Sequence, residues 1–278
     1  PEGTGPWPGI VVVHDAIGYA PDNEAVSERI AAAGYLALTP NMYARGGRAR
    51  CVTRVMRDLL TQRGQALDDI LAARDHLRAL PECTGKIGIA GFCMGGQFAL
   101  IMGPRGFGAS APFYGTPLPR HLDQTLDASC PVVASFGRRD PLGVGAPARL
   151  RKVVEEKDIP ADIKVYPSAG HSFANQLPAQ PLLRIAGFGY DEAAYLDATR
   201  RVPRRSAEYI ESVTVLFSQL AGILADEQRR RTGGAHACAP RELQLCVVGR
   251  RHLDPLGRCP AHPADGHHGG ARALPFLR

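Results

Sequence analysis

Alternation is the feature that most constrains this chain. Six short apolar runs recur at residues 9–14, 35–39, 86–90, 109–114, 132–136 and 163–166, each bounded by Gly or Pro. A strand with one wet face shows polar residues at every second position. These runs are apolar at neighbouring positions, as strands covered on both faces of a parallel sheet must be. Between them lie stretches with helical spacing at 23–33 and 54–80. In the second, Val55, Leu59, Leu67, Ile70, Leu71, Leu77 and Leu80 recur every three or four residues over much of its length. Two further helices are predicted at 147–157 and 204–230. Strand and helix in alternation predict an α/β fold with a mostly parallel sheet flanked by helices on both faces.

The length of 278 residues fits one large α/β domain with an appendage. The composition supports a boundary near Thr232. Residues 232–278 are rich in Arg, Pro, His, Gly and Ala and hold five of the nine His and three of the seven Cys. The expectation is a domain over 1–231 and a low-complexity, disordered tail over 232–278. The tail spacing Cys238-x7-Cys246-x12-Cys259-x2-His262 offers a zinc reading, but only its last pair has the close spacing of metal ligands. No metal and no cofactor are therefore expected.

The net charge of +6 raises the question of nucleic acid. Half of that excess comes from the tail, where six Arg face three acids, and the charges of the body are interspersed. A nucleic-acid platform needs a basic face with interleaved aromatics, and none is visible. No apolar run is long enough to span a membrane. Seven cysteines, an odd number without framework spacing, suit a reducing compartment, so a cytoplasmic location is expected. The expected partner is a small-molecule substrate, with the protein a monomer or small homo-oligomer.

The chemistry is concentrated in Lys86-Ile-Gly-Ile-Ala-Gly-Phe-Cys-Met-Gly-Gly96. A buried strand ends at Gly91, Cys93 stands between two glycines, and a helix can begin over 97–102. This is a nucleophile elbow of the form G-x-C-x-G. The nucleophile occupies a strained turn, and the glycines let strand and helix approach each other. The helix start favours a thiolate, and the Met94 N–H can point at a developing oxyanion. The plainer reading is a buried structural cysteine at a tight turn.

A thiol needs a base, and the base needs an orienting acid. Both are expected after later strands, in the order nucleophile, acid, His. Asp140 follows the run 132–136, and His171 follows the run 163–166. In an open parallel sheet such loops converge on one edge. The plainer readings are a turn-forming Asp before Pro141 and a capping or core His. His14, His76 and His121 do not follow a strand in this order.

Gly91-Phe-Cys93-Met-Gly-Gly, Gly137-Arg-Arg-Asp140 and Ala169-Gly-His171-Ser-Phe-Ala resemble the dienelactone hydrolase family of the α/β-hydrolase superfamily. So do Val12-Val13-His14-Asp15-Ala-Ile-Gly18 and the stretch from Ala33 to Arg45. The resemblance runs from Pro1 to about Ala225. It implies hydrolysis of an enol-lactone through an acyl-thioester on Cys93, then deacylation by water with His171. It also implies Ala16 as the second oxyanion donor, through its backbone N–H, and an acid at Asp15 that contacts the thiol. The family pattern has strands before the first one here, so the amino end reads as truncated.

Two positions depart from that pattern. Asp15 stands where the family has Glu, one methylene longer. Asn175 stands where the founding activity uses an Arg to grip a substrate carboxylate, and an amide cannot supply that charge. Arg45, Arg54 and Arg57 are the candidates to compensate. The expected function is a cofactor-independent hydrolase of small lactones or esters using Cys93, Asp140 and His171. The alternatives are a general carboxylesterase or thioesterase with the same residues, or an impaired member serving as a binding scaffold.

Overall fold

The computed structural model describes residues 1–46, 48–176, 180–202 and 204–205. Strands β1 (Trp7–Val13), β2 (Leu36–Leu38), β3 (Cys83–Phe92), β4 (Ser110–Phe113), β5 (Val132–Gly137) and β6 (Ala161–Tyr166) make one sheet. Their order is β2-β1-β3-β4-β5-β6, and every neighbouring pair is parallel. Six expected strands thus became six observed ones, with ends displaced by up to three residues.

The apolar runs behave as two-faced strands. Along β1, Val11 and Val13 enter one hydrophobic cluster while Ile10 and Val12 enter another. All four are essentially inaccessible to water. Burial of each such side chain is worth about 1.5–3 kcal/mol. The first cluster is closed by α2 (Arg48–Thr61), α3 (Gln65–Ala79) and α4 (Met94–Met102), through Val55, Leu59, Leu67, Ile70 and Phe98. The second receives Val26 and Ile30 from α1 (Pro21–Ala32). A third cluster joins β5 to α5 (Leu122–Thr125) and α6 (Ala146–Glu156) through Val132, Phe136, Leu122 and Leu150. The sheet therefore carries helices on both faces, as the alternation predicts.

The helix expected over 54–80 is two helices. Gln62 and Gly64 both have positive φ, 53° and 113°. Buried Asp58 accepts a hydrogen bond from the Ala66 N–H at 3.1 Å, satisfying one of the donors at the start of α3. Apolar spacing alone does not register that interruption, because both helices present their stripe to the same face. The short helix α7 (Gln180–Ile185) and a helical stretch over 192–202 were not anticipated. Of the helix expected at 204–230, only Arg204 and Arg205 fall among the described residues, and both are helical. The tail at 232–278, with its cysteines and histidines, lies outside them. No helix among the described residues is long and apolar enough to cross a membrane.

Because all strands run one way, the carboxyl ends of β1, β3, β4, β5 and β6 share one edge. The segments leaving that edge carry Asp15, Cys93, Thr116, Asp140 and His171.

Candidate active site

Cys93 separates β3 from α4 and takes φ 53°, ψ −114°, a conformation costly for any residue with a side chain. Its neighbours explain how that turn is held. A Cβ on Gly91 would lie 2.0 Å from the Gly95 carbonyl oxygen. A Cβ on Gly95 would lie 2.2 Å from the carbonyl oxygen of Val13. Only bare backbone fits at these two positions, so α4 starts directly against the ends of β3 and β1. Cys93 itself is partly exposed.

Three sequence-expected residues meet there. His171 Nε2 lies 3.0 Å from Cys93 Sγ, and His171 Nδ1 lies 2.9 Å from Asp140 Oδ2. His171 and Asp140 are 2% and 3% exposed, so this contact is shielded from water on both sides. Asp140 Oδ1 accepts from the Leu142 N–H at 2.8 Å, which fixes the carboxylate within its own turn. The His171 segment is anchored by its N–H to the Gly187 carbonyl at 2.7 Å and by its carbonyl to the Gly189 N–H at 2.9 Å. The Tyr114 and Phe188 rings meet the imidazole edge-on, with centroids at 5.2 and 5.5 Å.

Burial pulls the His171 imidazole down from its ordinary value. The hydrogen bonds and negative charges of Asp140 and Cys93 outweigh that, and the group is raised to about 9. The arrangement therefore favours an imidazolium beside the sulfur at neutral pH. The Cys130 thiol, by contrast with that imidazole, has no charged partner and is pushed up to about 12 by burial. Cys51, Cys83, Cys93 and Cys130 are all free thiols.

The two expected oxyanion donors lie just beyond the ends of β1 and β3. Met94 opens α4, and Ala16 follows the end of β1, against which Gly95 packs. Among the described residues, neither N–H has a protein acceptor. The Ala16 turn is braced by Tyr43, whose hydroxyl donates to the Ala16 carbonyl at 3.1 Å. His14 braces it from within. Its Nδ1 faces the Asp15 carbonyl at 2.8 Å and its Nε2 accepts from the Met42 N–H at 3.2 Å. That pairing requires a neutral ring protonated on Nδ1, in keeping with the lowering of its pKa by burial.

Asp15 is turned elsewhere than expected. Its Oδ1 accepts from the Ile17 N–H at 2.7 Å, and its Oδ2 accepts from Asn175 Nδ2. A contact between Asp15 and the thiol is not among the hydrogen bonds of the described residues, where the partner of Sγ is His171. Asn175 Oδ1 accepts from the Tyr114 hydroxyl at 3.0 Å, so Tyr114, Asn175 and Asp15 form a chain beside the site. The arginines considered as compensation have other partners in the hydrogen bonds of the described residues, although the buried Arg54 Nε has none there. Arg45 grips Asp69 at 2.6 and 2.7 Å, Arg57 is 3.5 Å from Asp58, and Arg54 donates to the Met42 carbonyl at 3.0 Å.

Thr116 went unnoticed in the sequence. Its hydroxyl donates to Asp140 Oδ2 at 2.9 Å and lies 3.4 Å from His171 Nδ1. The signal available was its place just beyond β4, at the same edge as the other site residues.

Six parallel strands with helices on both faces, and a cysteine at a glycine-flanked strand–helix turn facing a histidine and an aspartate, define an α/β-hydrolase. The dienelactone hydrolase family model matches residues 1–206. The chain belongs to that family. The carboxymethylenebutenolidase of Rhodococcus opacus is 28% identical over 183 residues, covering 61% of this chain and 71% of that protein. The carboxymethylenebutenolidase of Pseudomonas putida is 26% identical over 182 residues, covering 61% and 76%. A dienelactone hydrolase-like promiscuous phosphotriesterase from metagenomic libraries superimposes with a TM-score of 0.62 at 25% identity, covering 74% of this chain and 88% of that one.

Proposed function

We propose that this chain hydrolyses small esters or lactones by covalent catalysis on Cys93. The observation that carries the reading is the single imidazole of His171, within 3.0 Å of Cys93 Sγ and 2.9 Å of Asp140 Oδ2. One ring can then serve the sulfur while its other nitrogen is held in one tautomer.

In the acylation step, the Cys93 thiolate attacks the carbonyl carbon and a C–S bond forms. The carbonyl π pair moves to oxygen, where the Met94 and Ala16 N–H groups receive the negative charge. The intermediate collapses, the C–O bond to the leaving oxygen breaks, and His171 Nε2–H protonates that oxygen. In a lactone the leaving oxygen stays attached to the acyl group. Water then attacks the thioester while His171 takes its proton. Collapse releases the carboxylic acid and returns the thiolate beside the imidazolium. Asp140 stabilises the charged ring throughout and takes no proton.

The relatives named carboxymethylenebutenolidase support a lactone among the substrates. The test is turnover of a panel of enol-lactones and simple esters, with trapping of the acyl-thioester by mass spectrometry. An acyl adduct on Cys93 during turnover is expected. Hydrolysis that persists in Cys93→Ala, or a folded protein inert towards both substrate classes and towards a thiol-reactive acyl probe, would overturn the proposal and favour a binding scaffold.

A further inference from the structure

Asp15, next to Ala16 in the chain, and Asp22 are acidic side chains whose carboxylates are already engaged in hydrogen bonds. Asp15 lies at the end of β1, only 6% exposed, with both carboxylate oxygens occupied by Ile17 and Asn175. Asn175 is 7% exposed and has its amide committed to Asp15 on one side and Tyr114 on the other. Asp22, in the first turn of α1, accepts from the Gln176 N–H at 3.1 Å and so leans against the segment that carries Asn175.

These groups are near enough to act on one another. Burial first, then the charges of Asp15, Cys93 and Asp22, hold the Tyr114 phenol well above its ordinary value. Burial and the charge of Asp15 raise Asp22, against the opposing hydrogen bond from Gln176. Among the described residues, the charges that act on these two groups are negative. Asp15 and Asp22 have no cation among their hydrogen-bond and ion-pair partners in the described residues, which leaves an excess of negative charge at this end of the site. In a partly buried site such an excess repels a second anion over several ångströms.

We propose that the Asp15–Asn175–Tyr114 chain and Asp22 restrict the site to esters and lactones that are uncharged near the scissile carbonyl, and that they exclude those carrying a carboxylate there. This rests on the hydrolytic reading of Cys93. An incoming carboxylate would meet like charge, and the Asn175 amide could turn to it only by abandoning buried Asp15 and the buried Tyr114 hydroxyl. A neutral amide or alkyl group meets neither cost.

The experiment compares two esters of one shape, the 4-nitrophenyl monoester of glutaric acid and its terminal amide, each corrected for spontaneous hydrolysis. With the full chain at low salt, kcat/KM for the amide should exceed that for the acid by about tenfold or more, a difference of ~1.4 kcal/mol. The ratio should shrink several-fold as ionic strength rises towards ~1 M, where the Debye length is about 3 Å. Asp22→Asn should shrink it at low salt. Equal or faster turnover of the acid overturns this inference alone, as does a ratio that neither salt nor Asp22→Asn moves. Failure to hydrolyse either ester overturns it together with the hydrolytic reading.

Discussion

Thr116 Oγ1 lies 2.9 Å from Asp140 Oδ2, the same oxygen that faces His171 Nδ1 at 2.9 Å. One carboxylate oxygen therefore serves two donors, and the direction of its lone pairs is fixed by the hydroxyl as well as by the Leu142 N–H on the other oxygen. In the proposed mechanism Thr116 is a positioning residue that acts on the ring through Asp140. Thr116→Val keeps the branched shape and removes the donor. A lost hydrogen bond to a charged acceptor is worth about 1.5–3 kcal/mol. A fall in kcat of about tenfold is expected, with little change in KM, and with the alkaline limb of the pH profile displaced. An unchanged kcat and limb would reduce Thr116 to a packing role.

The value of about 9 for His171 gives the pH dependence a definite sign. In the proposed mechanism the imidazolium donates to the leaving oxygen, so kcat/KM should fall as pH rises through about 9. Stability follows the same direction. The folded-state value is above the ordinary 6.5, so the stabilisation from the charged ring is fully present below 6.5 and is lost as pH rises through about 9. In Asp140→Asn the main upward influence is gone, and the alkaline limb should move towards neutral pH. Activity at the optimum should fall by ~10²-fold or more, the usual worth of general acid–base catalysis. A pH–rate profile whose limb stays in place would refute the coupling between these residues.

The legible and illegible parts of the site separate for a physical reason. Cys93, Asp140 and His171 could be read because chain order and strand ends dictate where they arrive, and a parallel sheet gathers those ends at one edge. The direction of the Asp15 carboxylate could not, because it is set by an amide at Asn175, which the fold alone brings beside it. Thr116 was equally hidden. In Gly115-Thr116-Pro117 it reads as ordinary turn chemistry, and its role exists only through contact with a loop from another strand. The division of the long helix at Gly64 escaped for a different cause, since the apolar stripe continues across the break while the Asp58 cap that makes it is polar.

Asn175 should matter to stability as well as to specificity. It satisfies buried Asp15 and the fully buried Tyr114 hydroxyl together. Asn175→Leu keeps a similar volume and leaves both groups short of a partner. Unsatisfied buried polar groups cost about 1–3 kcal/mol each. Urea denaturation should show a loss of at least ~1 kcal/mol, the lower end of that range. A variant as stable as the parent would mean that water replaces the amide at both partners.

Gly95 provides the most demanding test of the elbow. A methyl group there would stand 2.2 Å from the Val13 carbonyl oxygen and 2.7 Å from that of His14. Both obstacles are backbone at the end of a buried central strand, so neither can swing aside as a side-chain tip would. Relief requires α4 to retreat from β1, which would separate the Met94 and Ala16 N–H groups and move Cys93 relative to His171. Overpacking of this kind costs about 1–3 kcal/mol even where neighbours can shift, and more where they cannot. Gly95→Ala should therefore lower the denaturation midpoint clearly and reduce acylation of Cys93 even in the fraction that remains folded. Gly34→Ala is the control, because Gly34 has φ 90° but nothing within 4 Å of an added Cβ. It should carry only the strain of the positive φ, about 1–2 kcal/mol, with Cys93 labelling at the parent rate. If both variants label Cys93 equally fast, the close approach of α4 to β1 is not what sets the geometry of Cys93.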